Sequence, residues 1–225
     1  SGSWDEAEYA FLQAREALRR GYGRVALLTA AGDYQHFIKV GFEQTYPPEL
    51  TALNEEVPRE MTDYRPVLLR IKAAQVKGVA LCLHPGQHGL LARQAQQLEF
   101  RPAFFGCDNM QDPAEYKIAA GALDHAWFVS QTVTPEFRER YSARYGNQDV
   151  VVAAAVYYDA AKLLAAVAGG GYKGSALIQA LYELPVQKGA AGSFKVVRQD
   201  GDQFTDTPLA VMHVTEHGIM PVDGK

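Results

Sequence analysis

The stretch RVALLTAAGDYQHFIKVGFEQT, residues 24–45, decides the fold class of this chain. Its first seven residues form a near-continuous apolar run, which is typical of a strand that is covered on both faces of a parallel sheet. From residue 34 to residue 45 the apolar side chains recur at helical spacing instead. A buried strand that leads directly into a helix is the repeating unit of an α/β protein.

The same alternation of strand and helix continues through the first half of the chain. A helix is predicted before it, from a Ser-x-x-Glu capping box at residues 3–6 to Gly21. Further strands are predicted over 50–57, 78–84, 102–106 and 125–131, and helices near 63–75, 87–98 and 112–120. The pattern predicts an open, mostly parallel α/β sheet with helices on both faces and right-handed crossovers.

The alternation stops after residue 131. Three helices are predicted in succession, over 134–146, 149–171 and 174–184, with no strand among them to cover. Thr134 as an N-cap, Pro135 behind it and Gly146 at the end give the first of these helices clear boundaries. Residues 192–222 then predict a short β meander, with turns at Asp200-Gly201 and near His217-Gly218.

The composition is that of an ordinary globular protein, with 48% hydrophobic and 21% charged residues and a net charge of −4. No run of Lys or Arg forms a basic surface, so a nucleic acid or an anionic membrane is not expected as a partner. No apolar segment is expected to be long enough to span a membrane.

Cys82 and Cys107 are the only cysteines. Two cysteines are too few for a disulfide scaffold, and they lack the close spacing of a zinc or redox motif. Both lie at or just past the ends of apolar runs, so we expect buried free thiols. A disulfide remains the alternative if their strands are neighbours and the compartment is oxidising.

The motifs of common enzyme families are absent, so the sequence predicts no enzyme, cofactor or metal site. The glycine-rich stretch at 169–175 follows a helix rather than a strand, which is typical of a helix stop and linker. His84 and His88 are separated by Pro85 and Gly86, which favours loop residues over a helical metal-binding pair. Asp159, a lone acid in an apolar helix, is expected to have a structural role.

Polar residues follow the predicted strands where each strand ends. Residues 29–34 follow the first strand, His84 ends the third, Asp108 and Asn109 follow the fourth, and Gln131 ends the fifth. In an open α/β sheet, ligands bind outside these carboxyl ends. Asp108 could therefore accept hydrogen bonds from a ligand, or it could cap the turn that follows it. The sequence pattern leaves both interpretations open.

The chain also resembles a known family, the type I periplasmic binding proteins that serve branched-chain amino-acid transport. Six segments in the same order carry the resemblance. They are GYGRVALLTAAGDYQHFIKVGFEQ (21–44), TDYRPVLLRIKAAQVKGVAL (62–81), ARQAQQLEF (92–100), FFGCDN (104–109), YYDAAKLLAAV (157–167) and GSFKVVRQDGDQ (192–203).

The resemblance implies two α/β lobes joined by three crossovers, closing around a small solute. It places residues 1–131 and 190–225 in a complete, ligand-binding second lobe. Residues 132–189 are similar to the helical part of the first lobe, whose opening strands and helices this chain lacks. The three helices would then have no sheet to cover, so we expect this chain to bury them by self-association or to leave them mobile and poorly packed. The alternative is that the three helices collapse onto one another as a small cluster, with Gly169, Gly170 and Gly171 allowing the chain to fold back.

The resemblance also implies a ligand site. Tyr34 matches a ligand-contacting tyrosine, Asp108 matches the acid that holds a bound amino acid's ammonium group, and Asn109 beside it is taken as a further contact. His84 stands where the family usually has a tyrosine. Ala153 stands where an aromatic side chain would cover the ligand from the other lobe, so branched-chain specificity is not implied.

The expected function is that of an extracytoplasmic solute-binding protein of an ABC-type importer. Its partners would be an amino-acid-like or amine-bearing solute and a membrane permease, and it would catalyse no reaction. The location would be periplasmic or extracellular, with a lipid anchor as one form of attachment. Two rival hypotheses stay open: a sensor or scaffold domain of the same fold that binds a protein, and an α/β enzyme of flavodoxin-like topology.

Overall fold

The structure, a computed structural model, describes residues 6–146, 152–199, 202–206, 209–215 and 218–221. It divides into two compact units. We call residues 6–130 and 211–225 the sheet unit, and residues 1–5 and 131–210 the helical unit. The predicted capping box and both predicted turns of the meander lie wholly or partly outside the described residues.

Parallel strands and helices alternate along the sheet unit, as the sequence predicts. The strands are β1 (Val25–Ala30), β2 (Thr51–Val57), β3 (Gly78–Cys82), β4 (Ala103–Gly106) and β5 (Trp127–Gln131). The helices are α1 (Glu6–Arg19), α2 (Asp33–Thr45), α3 (Arg65–Ala73), α4 (Gln87–Gln97) and α5 (Pro113–Ala119). The predicted fold class, an open and mainly parallel α/β sheet, is confirmed.

Two further strands near the end of the chain, β9 (Leu209–Thr215) and β10 (Gly218–Pro221), join this sheet. The strand order is β2-β1-β3-β4-β5-β9-β10. The first five strands pair in parallel, whereas β9 and β10 pair antiparallel at the other end. The chain order reverses between β1 and β3, which makes the gap between their carboxyl ends the topological switch point. Right-handed crossovers then place α2 on one face of the sheet and the later crossover helices α3, α4 and α5 on the other.

The core of the sheet unit is apolar and aromatic. Every residue of β1 and β3 is buried, in keeping with their continuous apolar sequence. The rings of Phe105 and Trp127 stack with centroids 4.8 Å apart. The Trp127 indole N–H donates to the Tyr22 hydroxyl over 2.8 Å, so its polar atom has a partner. This packing fixes the strand ends that carry the candidate site.

The helical unit holds three helices and a small antiparallel sheet. Its helices are α6 (Pro135–Tyr145), α7 (Val152–Gly169) and α8 (Ser175–Glu183), and its strands are β6 (Gln187–Gly189), β7 (Gly192–Gln199) and β8 (Asp202–Asp206). Thr134 caps α6 by accepting from the Phe137 N–H, and Gly146 ends the helix in the left-handed conformation with φ 64°. The predicted boundary signals of this helix are confirmed.

Residues 131–210 form the helical unit, so residues 190–210 group with its helices. Asp159 of α7 supplies one physical reason. Its buried carboxylate accepts from the backbone N–H groups of Ala190 and Ala191, over 2.7 and 2.9 Å. The structural role expected for Asp159 is therefore what the structure shows.

Helix α7 corrects one expectation from the sequence. It is 18 residues long with a mean hydropathy of 1.3, so by length and composition it could span a membrane, and only a small share of it is buried. Core helices of soluble proteins pass the same test. Tyr157 and Leu164 on α7 are 75% and 50% exposed, which leaves an apolar face uncovered within the described residues.

Candidate functional site

Tyr34 and Asp108 meet at the carboxyl end of the sheet, although 74 residues separate them in sequence. Tyr34 lies in the first turn of α2, directly after β1, and Asp108 begins the short 3-10 turn Asp108–Gln111 after β4. The Tyr34 hydroxyl donates to Oδ1 of Asp108 over 2.6 Å. A hydrogen bond this short is typical of a charged acceptor.

Burial dominates the electrostatics of Asp108. Desolvation raises the pKa of its carboxyl above the ordinary value of 3.8, while the hydrogen bond from Tyr34 and those from the backbone N–H groups of Asp108 and Asn109 lower it. Asp108 thus does cap its own turn in part, but Asp112, which accepts from the Ala114 N–H, is the N-cap of α5.

His84 lies across the switch point between β1 and β3. Its Nε2 is 3.0 Å from the Ala31 carbonyl oxygen, and its Nδ1 is 3.4 Å from the side-chain nitrogen of Gln35. Because a carbonyl only accepts, Nε2 carries the hydrogen in the neutral ring and Nδ1 accepts from Gln35. Both ring nitrogens are therefore engaged with residues 31–35, at the start of α2.

Asn109 connects the two loops of the site. Its side-chain amide donates to the Leu83 carbonyl over 2.9 Å, directly before His84. The structure therefore brings the four predicted residues together around one corner: Tyr34 contacts Asp108, His84 contacts the loop before Tyr34, and Asn109 contacts the backbone before His84.

Two other strand-end residues are buried without a visible hydrogen-bond partner. The hydroxyl of Thr29, in β1, and the side-chain oxygen of Gln131, at the end of β5, have none among the described residues. Ala153, which the resemblance places opposite a ligand, is an exposed residue of α7 in the helical unit.

Glu115 supports the site in a way that the sequence does not predict. Its fully buried carboxylate accepts from the N–H groups of Gly86 and Gly89, over 2.6 and 2.7 Å, and from Nδ1 of His88 over 3.0 Å. A carboxylate at a helix N-terminus is stabilised by the unpaired N–H groups there. Glu115 belongs to α5, so spacing along α4 gives no signal of it.

His88 is not a loop residue as expected. It lies buried in the first turn of α4, where the Leu83 N–H donates to its Nε2 over 3.1 Å. The neutral ring therefore carries its hydrogen on Nδ1, which donates to Glu115. Within the described part of the chain, no cluster of His, Cys, Asp or Glu forms a metal-binding group.

The prediction of free thiols is wrong. Cys82 and Cys107 form a disulfide in the sheet unit, with their Cα atoms 5.3 Å apart. The reason is the sheet topology, because β3 and β4 are paired neighbours and the two cysteines stand side by side at their ends. The alternative that the sequence left open is the observed one.

Comparison with known proteins agrees with this architecture. The periplasmic binding protein family matches residues 3–218 of the chain. No curated protein sequence matches it. Among solved structures, a leucine-binding protein from Thermotoga maritima superposes with a TM-score of 0.84 at 19% identity, covering 96% of this chain and 65% of that one.

Other similar structures differ in their bound ligands. A branched-chain amino-acid transporter substrate-binding protein from Streptococcus pneumoniae, in complex with isoleucine, has a TM-score of 0.80 at 20% identity, covering 98% of this chain and 66% of that one. A solute-binding protein from R. palustris, in complex with benzoate, has a TM-score of 0.82 at 13% identity, covering 96% and 62%.

The chain spans about two thirds of the length of these structures. The family match covers nearly the whole chain, and the mainly parallel α/β sheet with its flanking helices superposes on the matched structures. This chain belongs to the periplasmic binding protein family.

Proposed function

We propose that this chain is the solute-binding part of an extracytoplasmic binding protein of an ABC-type importer, and that its solute carries an amino group. It performs no catalysis in this proposal. The supporting observation is the pair formed by Tyr34 and Asp108, because it presents a desolvated carboxylate at the switch point where α/β sheets bind ligands.

The chemistry of Asp108 favours an ammonium group as its ligand partner. An ionised carboxylate only accepts hydrogen bonds, and Tyr34 already occupies one of its oxygens. An ammonium would add a charge-assisted hydrogen bond to the carboxylate, whereas a benzoate carboxylate would meet charge repulsion there. The similar structures were solved in complex with ligands as different as isoleucine and benzoate, so the argument for an amine rests on Asp108.

A permease partner and an extracytoplasmic location follow from the same proposal, with lipid anchoring as a further prediction. The disulfide supports the location independently. Disulfides persist in oxidising compartments such as the periplasm and are rare in the cytosol.

One observation favours a second candidate, a sensor or scaffold domain that binds no solute. Both ring nitrogens of His84 and the side-chain amide of Asn109 already have partners within the sheet unit, which reduces the polar groups left for a ligand. The predicted flavodoxin-like enzyme lacks a comparable supporting observation.

A thermal-shift panel separates these functions. The protein, as the 225-residue chain and as any longer natural form of it, is heated with each of the common amino acids, with benzoate and with 4-hydroxybenzoate. A solute that binds only the folded state raises Tm by mass action. We expect at least one amino acid to raise Tm and the benzoates to leave it unchanged. Stabilisation by a benzoate alone contradicts the amine, and stabilisation by no solute favours the sensor or scaffold.

A further inference from the structure

The disulfide lies directly beneath the candidate site. Cys82 is the last residue of β3, two residues before His84, and Cys107 immediately precedes Asp108. Both cysteines are fully buried, with 0% and 1% of their surface exposed. The bond therefore joins the two loops that carry these site residues at the point where the loops leave the sheet.

Ladder pairing of the two strands ends just below this bond. The last paired residues are Leu81 and Gly106, and the Cys107 N–H donates to the Leu81 carbonyl over 3.1 Å. Beyond that point the chain diverges into α4 on one side and the 3-10 turn of Asp108 on the other. Within the described residues, the other hydrogen bond between the two loops is the one from Asn109 to Leu83.

The two strands approach each other closely at Leu81 and Gly106, one register position before the disulfide. Gly106 has no room for a side chain, because a Cβ there would collide with the Leu81 carbonyl oxygen and approach Sδ of Met110 to 2.8 Å. A cross-link at the next register position holds the two backbones at this narrow spacing. A wider spacing between the loops would admit more water to the half-buried Asp108 carboxyl.

We infer that the Cys82–Cys107 disulfide is a positioning element of the solute site, which fixes the spacing between the His84 loop and the Asp108 loop. The inference rests on the proposed function, because it assigns the bond a role in that same site. A merely structural disulfide would stabilise the whole sheet unit equally by closing the 25-residue loop between the two cysteines.

The test replaces the bond by Cys82→Ala together with Cys107→Ala. Two ligand-free readouts report on the site: the pKa of Asp108 from carboxyl-carbon NMR titration, and the amide exchange rates of residues 84 and 108. Asp63, whose pKa is lowered by the exposed Arg65, is the internal reference in the same spectra. Ile71→Val, a buried change in α3, is the control that lowers Tm without touching the site.

In the double variant we expect the raised pKa of Asp108 to fall toward its ordinary value, as water reaches the carboxyl, and the pKa of Asp63 to stay unchanged. The site amides should exchange roughly tenfold faster relative to amides elsewhere in the sheet unit. Ile71→Val should change neither readout. A lowered Tm with an unchanged Asp108 pKa and uniform exchange would overturn the inference and leave the bond a structural one.

A second form of the experiment covers a double variant that does not fold. Because the bond is fully buried, the wild-type chain is unfolded in urea, reduced with a water-soluble phosphine and refolded by dilution. In this reaction one disulfide, one phosphine and one water give two thiols and a phosphine oxide. The same two readouts are then compared before and after reduction, with the same expected and contradicting results. Because neither readout needs a solute, failure of the proposed function and failure of this inference are seen separately.

Discussion

Asp108 is subject to two opposing effects. Burial raises the pKa of its carboxyl, so ionisation at neutral pH costs folding free energy, yet an ionised carboxylate is what an ammonium group would require. A residue that destabilises the free protein and suits a ligand is typical of functional sites. Asp112, four residues later, has an ordinary capping role that explains it without a ligand.

The pH dependence of thermal stability tests whether burial makes ionised Asp108 destabilising. The pKa of Asp108 is raised on folding, so the folded protein binds the proton more tightly than the unfolded chain. The carboxyl therefore lowers stability as pH rises through the window between its unfolded value of 3.8 and its raised folded value. The Tm of Asp108→Asn should accordingly exceed the Tm of the wild type by a few degrees at neutral pH. This difference in Tm should narrow as the pH falls through the window.

Asp63→Asn is the matched control, measured by the same thermal melts. The hydrogen bond from Arg65 lowers the pKa of Asp63, so its carboxylate stabilises the protein at neutral pH and loses that contribution in acid. Its effect should have the opposite sign to that of Asp108→Asn and be small, because the pair is exposed. A Tm difference between Asp108→Asn and the wild type that widens on acidification would show that burial is not the main influence on the pKa of Asp108.

Sequence reasoning predicted that the four residues of the candidate site gather at one edge of the sheet, but not which hydrogen bonds their polar atoms make. Strand-end position predicts which residues gather, because the carboxyl ends of parallel strands share one edge. It does not predict that the nitrogens of His84 bond to Ala31 and Gln35. Those partners depend on side-chain direction and loop geometry, which have no period in the sequence.

At the scale of elements, α4 packs closely on α5 near the site. Gly89 of α4 lies where a Cβ would collide with the Glu115 carbonyl oxygen and come within 3.0 Å of the Ala119 backbone nitrogen. Backbone atoms cannot rotate away as side-chain atoms can. Glycine is therefore required here by close approach, since the two helices meet at this residue.

Gly89→Ala should lower the free energy of unfolding by about 1–3 kcal/mol, the usual cost of overpacking a tight contact. Urea denaturation of the wild type and the variant measures it. Gly169→Ala is the matched control, because a Cβ at this helical position meets no atom within 4 Å. It should be neutral or slightly stabilising, because alanine has the better helix propensity. Equal effects of the two substitutions would contradict the packing argument.

The sequence predicts the bounds of single helices and strands better than it predicts the contacts between elements that are distant in sequence. The spacing of apolar residues predicts β1, β3, α4 and α6 to within about two residues of their observed bounds. It does so because an element that buries one face or both has a matching repeat of apolar residues in its sequence. The assignment of residues 190–210 required a contact with Asp159, which is more than thirty positions away. The disulfide likewise depended on which strands are neighbours.

At the scale of the whole molecule, the uncovered helices have a measurable consequence. Exposed apolar residues lie along α7, α8 and the segment after them: Tyr157, Leu164, Ile178 and Val186. Val150 and Val151 lie outside the described residues. Apolar surface of this extent is uncommon on a stable monomer.

We therefore predict that the 225-residue chain self-associates. Light scattering at several concentrations should give an apparent mass that rises with concentration. Leu164→Lys, on the exposed face, should reduce the association, whereas Lys162→Arg, two residues away, should not change it. A strictly monomeric species at every concentration would contradict the prediction and indicate that the helices pack among themselves.

Calorimetric titration is the measurement that tests the central claim most directly, because it asks whether Asp108 holds a solute's amino group. The solutes are the amino acid that gives the largest thermal shift and the 2-hydroxy acid of the same structure. Each is titrated into the wild type, into Asp108→Asn and into the control Asp33→Asn, at the first residue of α2. The account predicts that Asp108→Asn weakens amino-acid binding by roughly 1.5–3 kcal/mol, the range for a charged hydrogen bond, and that Asp33→Asn leaves it unchanged. It also predicts far weaker wild-type binding of the hydroxy acid. Equal affinity of Asp108→Asn and wild type for the amino acid would contradict it.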